Sequence, residues 1–495
     1  MALDTVAVYG EVNSTGLLDR AIAKGITWTA GIKAATILMS WACTIMLARI
    51  LSPQDYGIVT MATVYVGLTS MVTDFGFGAA IVALPELSDK LAAQLHSAAL
   101  LIGSAAFVVS YVMSVPISRF FRAPGLAPVI VVLSTLLILD SLRVVPTARL
   151  GRDMRLKDLA LLDGLRVLIA VAFALALALF GVRYWALVLG NVVAAFVLTG
   201  AVLTRFPQRF GVPRFAELKS TLRFSSHFLT GQLAWYGYTN ADFVVAGRVL
   251  GKIALGEYTL AWTIISAPGE KIMAIFGRVM PMVLANVQRD SRALRRYFLL
   301  FTEALAILIV PAAVGLALVA NDFVLLVFGA KWSAAVAPLQ LLCLYMAMHI
   351  LVTPADRLLQ ATGHASFAAR CGFVMVAILP AAFYFSGSRW GTTGIAAMWV
   401  VMYPFLLAPM YARVFRTLDI ALHDYLAVLG PTLLSTALMA AVVLAIRAGI
   451  PPDWPLTVRL AVQVASGAAA CITAALFIQR RRLGVLADFL RTIRT

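Results

Sequence analysis

The chain reads as an all-α integral membrane protein with about fourteen transmembrane helices, and three observations carry that reading. Apolar residues fill 62% of its 495 positions and charged residues only 13%, with a mean hydropathy of +0.92. That charge content is about half that of an ordinary soluble domain. Apolar stretches of about 20 residues, long enough to cross a hydrocarbon core as helix, recur from end to end. The chain also echoes itself. "LRVVPTARL" (Leu142 to Leu150) and "ILVTPADRL" (Ile350 to Leu358) lie about 208 residues apart and share a Pro-x-x-Arg-Leu core. "ARILSPQDYGIV" from Ala48 and "GRVLGKIALGEYTLA" from Gly247 share a small-Arg-apolar-Leu step, then an acidic-Tyr step at Asp55-Tyr56 and Glu257-Tyr258. Echoes in the same order indicate internal duplication. In a chain this apolar, duplication points to a transporter, because alternating access is commonly built from two repeats rocking about a shared site.

In chain order, residues 1–24 lack a basic n-region, and the first apolar run has no small-residue cleavage site, so no cleavable signal is expected. Leu17, Leu18, Ala21 and Ile22 read as an interfacial lead-in helix. Spans are expected to begin near Gly25, Gly57, Ala92, Leu126, Leu159, Tyr184 and Phe224. The second set begins near Leu255, Tyr297, Ala335, Phe367, Gly391, Leu426 and Leu456. Ser52-Pro53-Gln54-Asp55 starts the second helix, with Ser as N-cap, Pro at the first helical position and Asp in the first turn. The longest polar connection, near Arg205 to Arg223, is too short for a soluble domain. After Arg480 to Arg482, the spacing of Leu483, Leu486, Leu490 and Ile493 predicts a surface-lying amphipathic tail.

A net charge of +17 would suggest nucleic acid in a soluble protein. Here the basic residues cluster on alternate connections: Arg149/Arg152/Arg155/Lys157, Arg205/Arg209/Arg214/Lys219/Arg223, Arg289/Arg292/Arg295/Arg296 and Arg480/Arg481/Arg482/Arg491/Arg494. This is the positive-inside pattern, and an even span count then leaves both termini cytoplasmic. The charge orients the protein and touches anionic membrane lipids; no nucleic-acid partner is expected. Cys43, Cys343, Cys371 and Cys471 sit singly in apolar runs, and the five histidines form no ligand set, so neither a metal nor a cofactor is expected. Asp74-Phe75-Gly76 lacks the loops of a kinase. No nucleophile elbow, H-E-x-x-H or Walker A segment exists, and no catalytic residue is assigned.

"LARILSPQDYG" followed by "TDFGFGAAIV" resembles the opening hairpin of Wzx-type polysaccharide exporters, the bacterial oligosaccharide-lipid flippases. Among these the chain is most similar to the colanic-acid and succinoglycan exporters, within the superfamily that also holds multidrug antiporters and lipid II flippases. The resemblance implies a cytoplasmic N-terminus (1–24) and two six-helix lobes, 25–205 and 224–416, around a central cavity. A basic linker (206–223) joins them; an extra two-helix hairpin (417–480) and a basic tail (481–495) follow. It implies a multi-pass protein of the bacterial inner membrane that moves undecaprenyl-pyrophosphate-linked repeat units, alongside a polysaccharide polymerase and export machinery.

Such cargo needs a hydrated, partly cationic path, and ionisable residues inside spans are the first places to look. Lys33, Arg143, Arg166, Lys271 and Arg278 are the internal cations and the head-group candidates. The internal acids are Asp74, Asp140, Asp163, Asp242, Glu270 and Glu303. Their near balance makes internal pairing the first competitor. Asp140 with Arg143 and Asp163 with Arg166 stand three apart, the spacing of ion pairs on one helix face. Lys271 lies beside Pro268-Gly269, where a broken helix is expected to free backbone groups. Asp74 and Glu303 lack partners on their own helices and are the ion-coupling candidates. Tyr236, Tyr238, Asn240 and Asp242, in "WYGYTNADF", offer a surface that stacks on sugars and equally reads as an interfacial aromatic belt. A cation antiporter, a lipid II flippase and a membrane polymerase or glycosyltransferase stay open as alternatives. A polymerase would need larger outer loops than these.

Overall fold

The computed structural model describes residues 39–74, 77–78, 81, 87–214, 229–451 and 453–479, and every regular element among them is helical. The chain divides into two compact units. One holds residues up to Ser52 with Met61–Leu233, and the other holds Pro53–Thr60 with Ala234 onward.

α1 (Met39–Ile50) of the first unit leads into α2 (Pro53–Asp74), whose first turns to Thr60 belong to the second unit and whose remainder belongs to the first; α2 begins where the Ser-Pro-x-Asp signal predicts, with Asp55 in its first turn. Next come α3 (Asp89–Phe120), α4 (Leu126–Arg152), α5 (Leu156–Leu179) and α6 (Trp185–Arg205). Ser88 caps α3 by accepting from the Leu91 N–H at 3.2 Å. α4 packs against both α3 and α6, and α5 against α6. Small connections join these helices. Phe77 and Ile81, beyond α2, seal its end against Leu95, Ala99 and Val145.

In the second unit, residues 229–239, a short helix Ala241–Val245 and a π-turn Ala246–Leu250 form one interrupted span, α7. It is followed by α8 (Gly251–Asn286), α9 (Ser291–Val327), a 3-10 turn (Ala330–Ala335) and α10 (Val336–Ala361). The unit closes with α11 (Ala365–Leu418), α12 (Leu422–Gly449) and α13 (Leu456–Ile478). α8 is continuous through Pro268 and Gly269, contrary to the broken helix expected there. One proline removes a single backbone bond, which bends a ladder without ending it.

Ten helices among the described residues are long and apolar enough to cross a membrane. They are α2 to α6 and α9 to α13. At 54 residues, α11 would run roughly 80 Å as one rod, far beyond a hydrocarbon core. It is two spans meeting at Gly391, whose φ of 63° suits a residue without Cβ and turns the chain back. With that division, and α1, α7 and α8, the fourteen expected spans each have a counterpart. The helix pair at the C-terminus is tied to α9. Asp322, buried there, accepts from Gln463 Nε2 at 3.0 Å and pairs with Arg459 at 3.5 Å.

The duplication is visible in the fold. Pro146 and Pro354 lie inside the last two turns of α4 and α10, the fourth helix of each half. The second echo forms a symmetric crossing. A Cβ on Gly57 would land on the Lys252 carbonyl oxygen, and one on Gly256 would land on the Pro53 carbonyl oxygen. One turn on, Thr259 Oγ1 donates to Thr60 Oγ1 at 3.1 Å. The pairs Pro53/Lys252, Gly57/Gly256 and Thr60/Thr259 each differ by 199 positions, the offset of Arg49 and Arg248 in the sequence echo. The first turns of α2 and α8 therefore cross backbone to backbone about a local pseudo-twofold, which only glycine permits.

Candidate functional site

The first unit holds a polar cavity of about 360 Å³ amid helices that are otherwise apolar. It gathers Asp74, Asp140, Arg143, Asp163 and Arg166, five of the intramembrane charges picked out in the sequence. Asp74 closes α2, Asp140 and Arg143 lie in the C-terminal half of α4, and Asp163 and Arg166 lie in the N-terminal half of α5. The basic cluster Arg149/Arg152/Arg155 lies beyond these charges, where α4 ends and α5 begins.

Arg143 pairs with Asp140 through Nη2, as the spacing predicts, while its buried Nε has no partner among the described residues. Asp163 and Arg166 behave differently: both are exposed along α5, and no ion pair joins them among the described residues. Spacing of three permits a pair without enforcing one, and a wet cavity solvates each charge separately. Thr73 and Thr147 donate to carbonyls of their own helices at 2.8 Å each, so their hydroxyl oxygens face the cavity as acceptors. With the Asp140 pair neutral, the cavity's remaining charged lining is Arg166 with the carboxylates of Asp74 and Asp163. Replacing Arg143 with Ala strands Asp140. Its side chain keeps 34% exposure, so the expected loss is about 1–3 kcal/mol, below the cost of breaking a fully buried pair. A lower melting temperature of the detergent-solubilised protein would register it; an unchanged one would mean the pair is dispensable.

Lys33 lies outside the described residues, and of Lys271 and Arg278 only the backbone on α8 is described. Glu303 is half-buried on α9, in the other unit from the cavity.

The aromatic-polar stretch before α8 is not one surface. Asp242 is wholly buried. Its Oδ2 accepts from Tyr258 OH at 2.7 Å and from Trp399 Nε1 at 2.9 Å, while Oδ1 accepts from the Phe243 N–H at 2.9 Å. A carboxylate so enclosed cannot face a ligand; it anchors α7, α8 and α11 together. Asn240 caps the 229–239 helix, its amide donating to the Tyr236 carbonyl at 3.1 Å. Tyr236 and Tyr238 are half-buried. Around Asp242 stands an aromatic cluster absent from the sequence reading: Trp262, Tyr345, Trp399 and Tyr403, with Tyr345 and Trp399 centroids 4.6 Å apart. His349 joins it, its Nδ1 2.6 Å from Tyr403 OH. The four-residue step from Tyr345 to His349 was readable as one helix face; the contact with Tyr403 was not.

The model of a family described as polysaccharide biosynthesis protein matches residues 46–337, more than half of the chain. The chain belongs to that family. It is 26% identical over 380 residues to the lipopolysaccharide biosynthesis protein WzxC of Escherichia coli K12, covering 75% of this chain and 76% of that one. It is also 26% identical over 328 residues to the succinoglycan biosynthesis transport protein ExoT of Rhizobium meliloti, covering 66% of each. Its fold is similar to that of the lipid II flippase MurJ in an inward closed conformation, with a TM-score of 0.77 at 12% identity, covering 92% of this chain and 99% of that one. The expected resemblance to polysaccharide exporters and the all-helical transporter fold are both borne out.

Proposed function

We propose that this protein is a flippase that carries undecaprenyl-pyrophosphate-linked oligosaccharide repeat units across the bacterial inner membrane, with both termini cytoplasmic. The observation that carries the reading is the charged cavity of the first unit, a polar chamber within apolar helices, in a chain of this family. A pyrophosphate bearing sugars cannot cross lipid unaided, whereas a wet cavity replaces its hydration. No bond needs to break, so the site requires position and charge and no nucleophile. Delivered units then pass to a polysaccharide polymerase and the export machinery.

Within the cavity, Arg166 is the phosphate contact, because no ion pair neutralises its guanidinium among the described residues and it presents donors in a fork matched to phosphate oxygens. Asp74 and Asp163 line the same cavity, and Asp74 is the group a coupling cation or proton would occupy. Lys33, Lys271 and Arg278 remain further head-group candidates, and Glu303 a second coupling candidate. Charge-assisted contacts contribute about 1.5–3 kcal/mol, so Arg166→Ala should cut export by roughly tenfold or more. Polysaccharide yield per unit of membrane-inserted protein measures this. Full export at normal abundance in Arg166→Ala would remove the cavity from the transport path.

A further inference from the structure

We propose that the second unit holds a subsite for a neutral, hydroxylated ring, formed by Tyr238 of α7 and by His349, Thr353 and Asp356 of α10. The inference rests on the flippase reading and names where the sugars of the carried head group are held.

On α10, positions 345, 349, 353, 356 and 360 fall on one stripe at helical spacing. The neighbouring Ile350, Ala355, Leu358 and Leu359 are buried, whereas His349, Thr353 and Asp356 are only half-buried and Gln360 is exposed. A polar stripe on a membrane helix faces protein cavity or water, since lipid would strand its polar atoms. The stripe is also built to stay in place. Tyr403 OH sits 2.6 Å from His349 Nδ1, and Tyr345 stacks on the imidazole with centroids 5.5 Å apart. With Tyr403 donating to Nδ1, the neutral ring carries its proton on Nε2, and that N–H has no partner among the described residues. Gln360 Nε2 donates to Asp356 Oδ2 at 2.8 Å, fixing the carboxylate while leaving Oδ1 able to accept. α7 reaches the same wall through Asp242, whose carboxylate accepts from Trp399 Nε1 at 2.9 Å, and Tyr238 lies half-buried four residues before it.

The half-buried residues of α7 and α10 thus present one tyrosine ring, one N–H donor, hydroxyls and one oriented carboxylate oxygen, with the buried rings of Tyr345 and Tyr403 packed behind them. Vicinal sugar hydroxyls both donate and accept, and their C–H faces pack on aromatic rings, so this mixture suits them. A phosphate would meet repulsion from Asp356, and the neighbouring Arg357 is already engaged, its Nη1 donating to Gln360 Oε1 at 3.2 Å. Asp242 holds the wall from behind through Trp399, which stacks on Tyr345.

The test uses the purified full-length protein with two defined lipids, undecaprenyl diphosphate and the same lipid carrying one glucose. The wild type should bind the glycosylated lipid more tightly, and His349→Ala and Tyr238→Phe should each shrink that preference by about threefold to tenfold while leaving affinity for the bare lipid unchanged. His349→Gln, which keeps a side-chain donor, should retain part of it. Should His349→Ala fail to fold, Tyr238→Phe, which loses one hydroxyl from a half-buried ring, carries the comparison. A wild type with no preference, or variants that keep the preference, overturn the subsite. Displacement of the glucosyl lipid by ethidium in an Asp356-dependent manner would identify a cation site and overturn it equally. A wild type that binds neither lipid overturns the flippase reading itself.

Discussion

Asp242→Leu is expected to abolish accumulation of folded protein in the membrane. The substitution removes the one acceptor shared by Tyr258 OH, Trp399 Nε1 and the Phe243 N–H, all within 2.7–2.9 Å of the carboxylate in a fully buried site. Each stranded donor costs about 1–3 kcal/mol, so three approach the whole of an ordinary stability margin of about 5–15 kcal/mol. Asp242→Asn keeps one carbonyl oxygen but turns an NH₂ toward existing donors, and should fall between. Fluorescence-detected size-exclusion of tagged protein reads the yield. A monodisperse Asp242→Leu protein at wild-type abundance would show that these bonds contribute little.

Gly57→Val and Gly256→Val should each force α2 and α8 apart. The added Cβ meets a backbone carbonyl oxygen, that of Lys252 or of Pro53, which has no rotamer by which to yield. The contact of Thr60 with Thr259 lies one turn on and fails with the crossing. A protein carrying Thr60→Cys and Thr259→Cys should therefore form a disulfide on mild oxidation, because these side chains already meet at 3.1 Å. Adding Gly57→Val should abolish that bond. An undiminished disulfide would mean the helices bend around the new side chain. Transport should fall with the crossing in both valine variants.

The features legible in the sequence are those set by neighbours along the chain. Span positions followed from run length, the start of α2 from Ser52-Pro53-Gln54-Asp55, and the Arg143–Asp140 pair from its spacing. The same spacing misled at Asp163 and Arg166, where hydration competes with pairing. Asp242 read as a surface group because its partners, Tyr258 and Trp399, lie 16 and 157 residues away, beyond any local pattern. The interruption at Asn240 and the π-turn after it have no periodic signature. Gly57 and Gly256 took meaning only when the 199-residue echo was seen as a physical crossing.

The central claim is that the protein moves a finished polar head group from one leaflet to the other without altering it. Leaflet-specific detection of the lipid-linked repeat unit in a strain lacking the gene tests this most directly. Surface or secreted polysaccharide should stop, and the completed glycolipid should accumulate on the cytoplasmic leaflet. Accumulation of single units on the outer leaflet would instead mark a polymerase defect, and intact polysaccharide with altered dye retention would mark a drug exporter; either result contradicts the account.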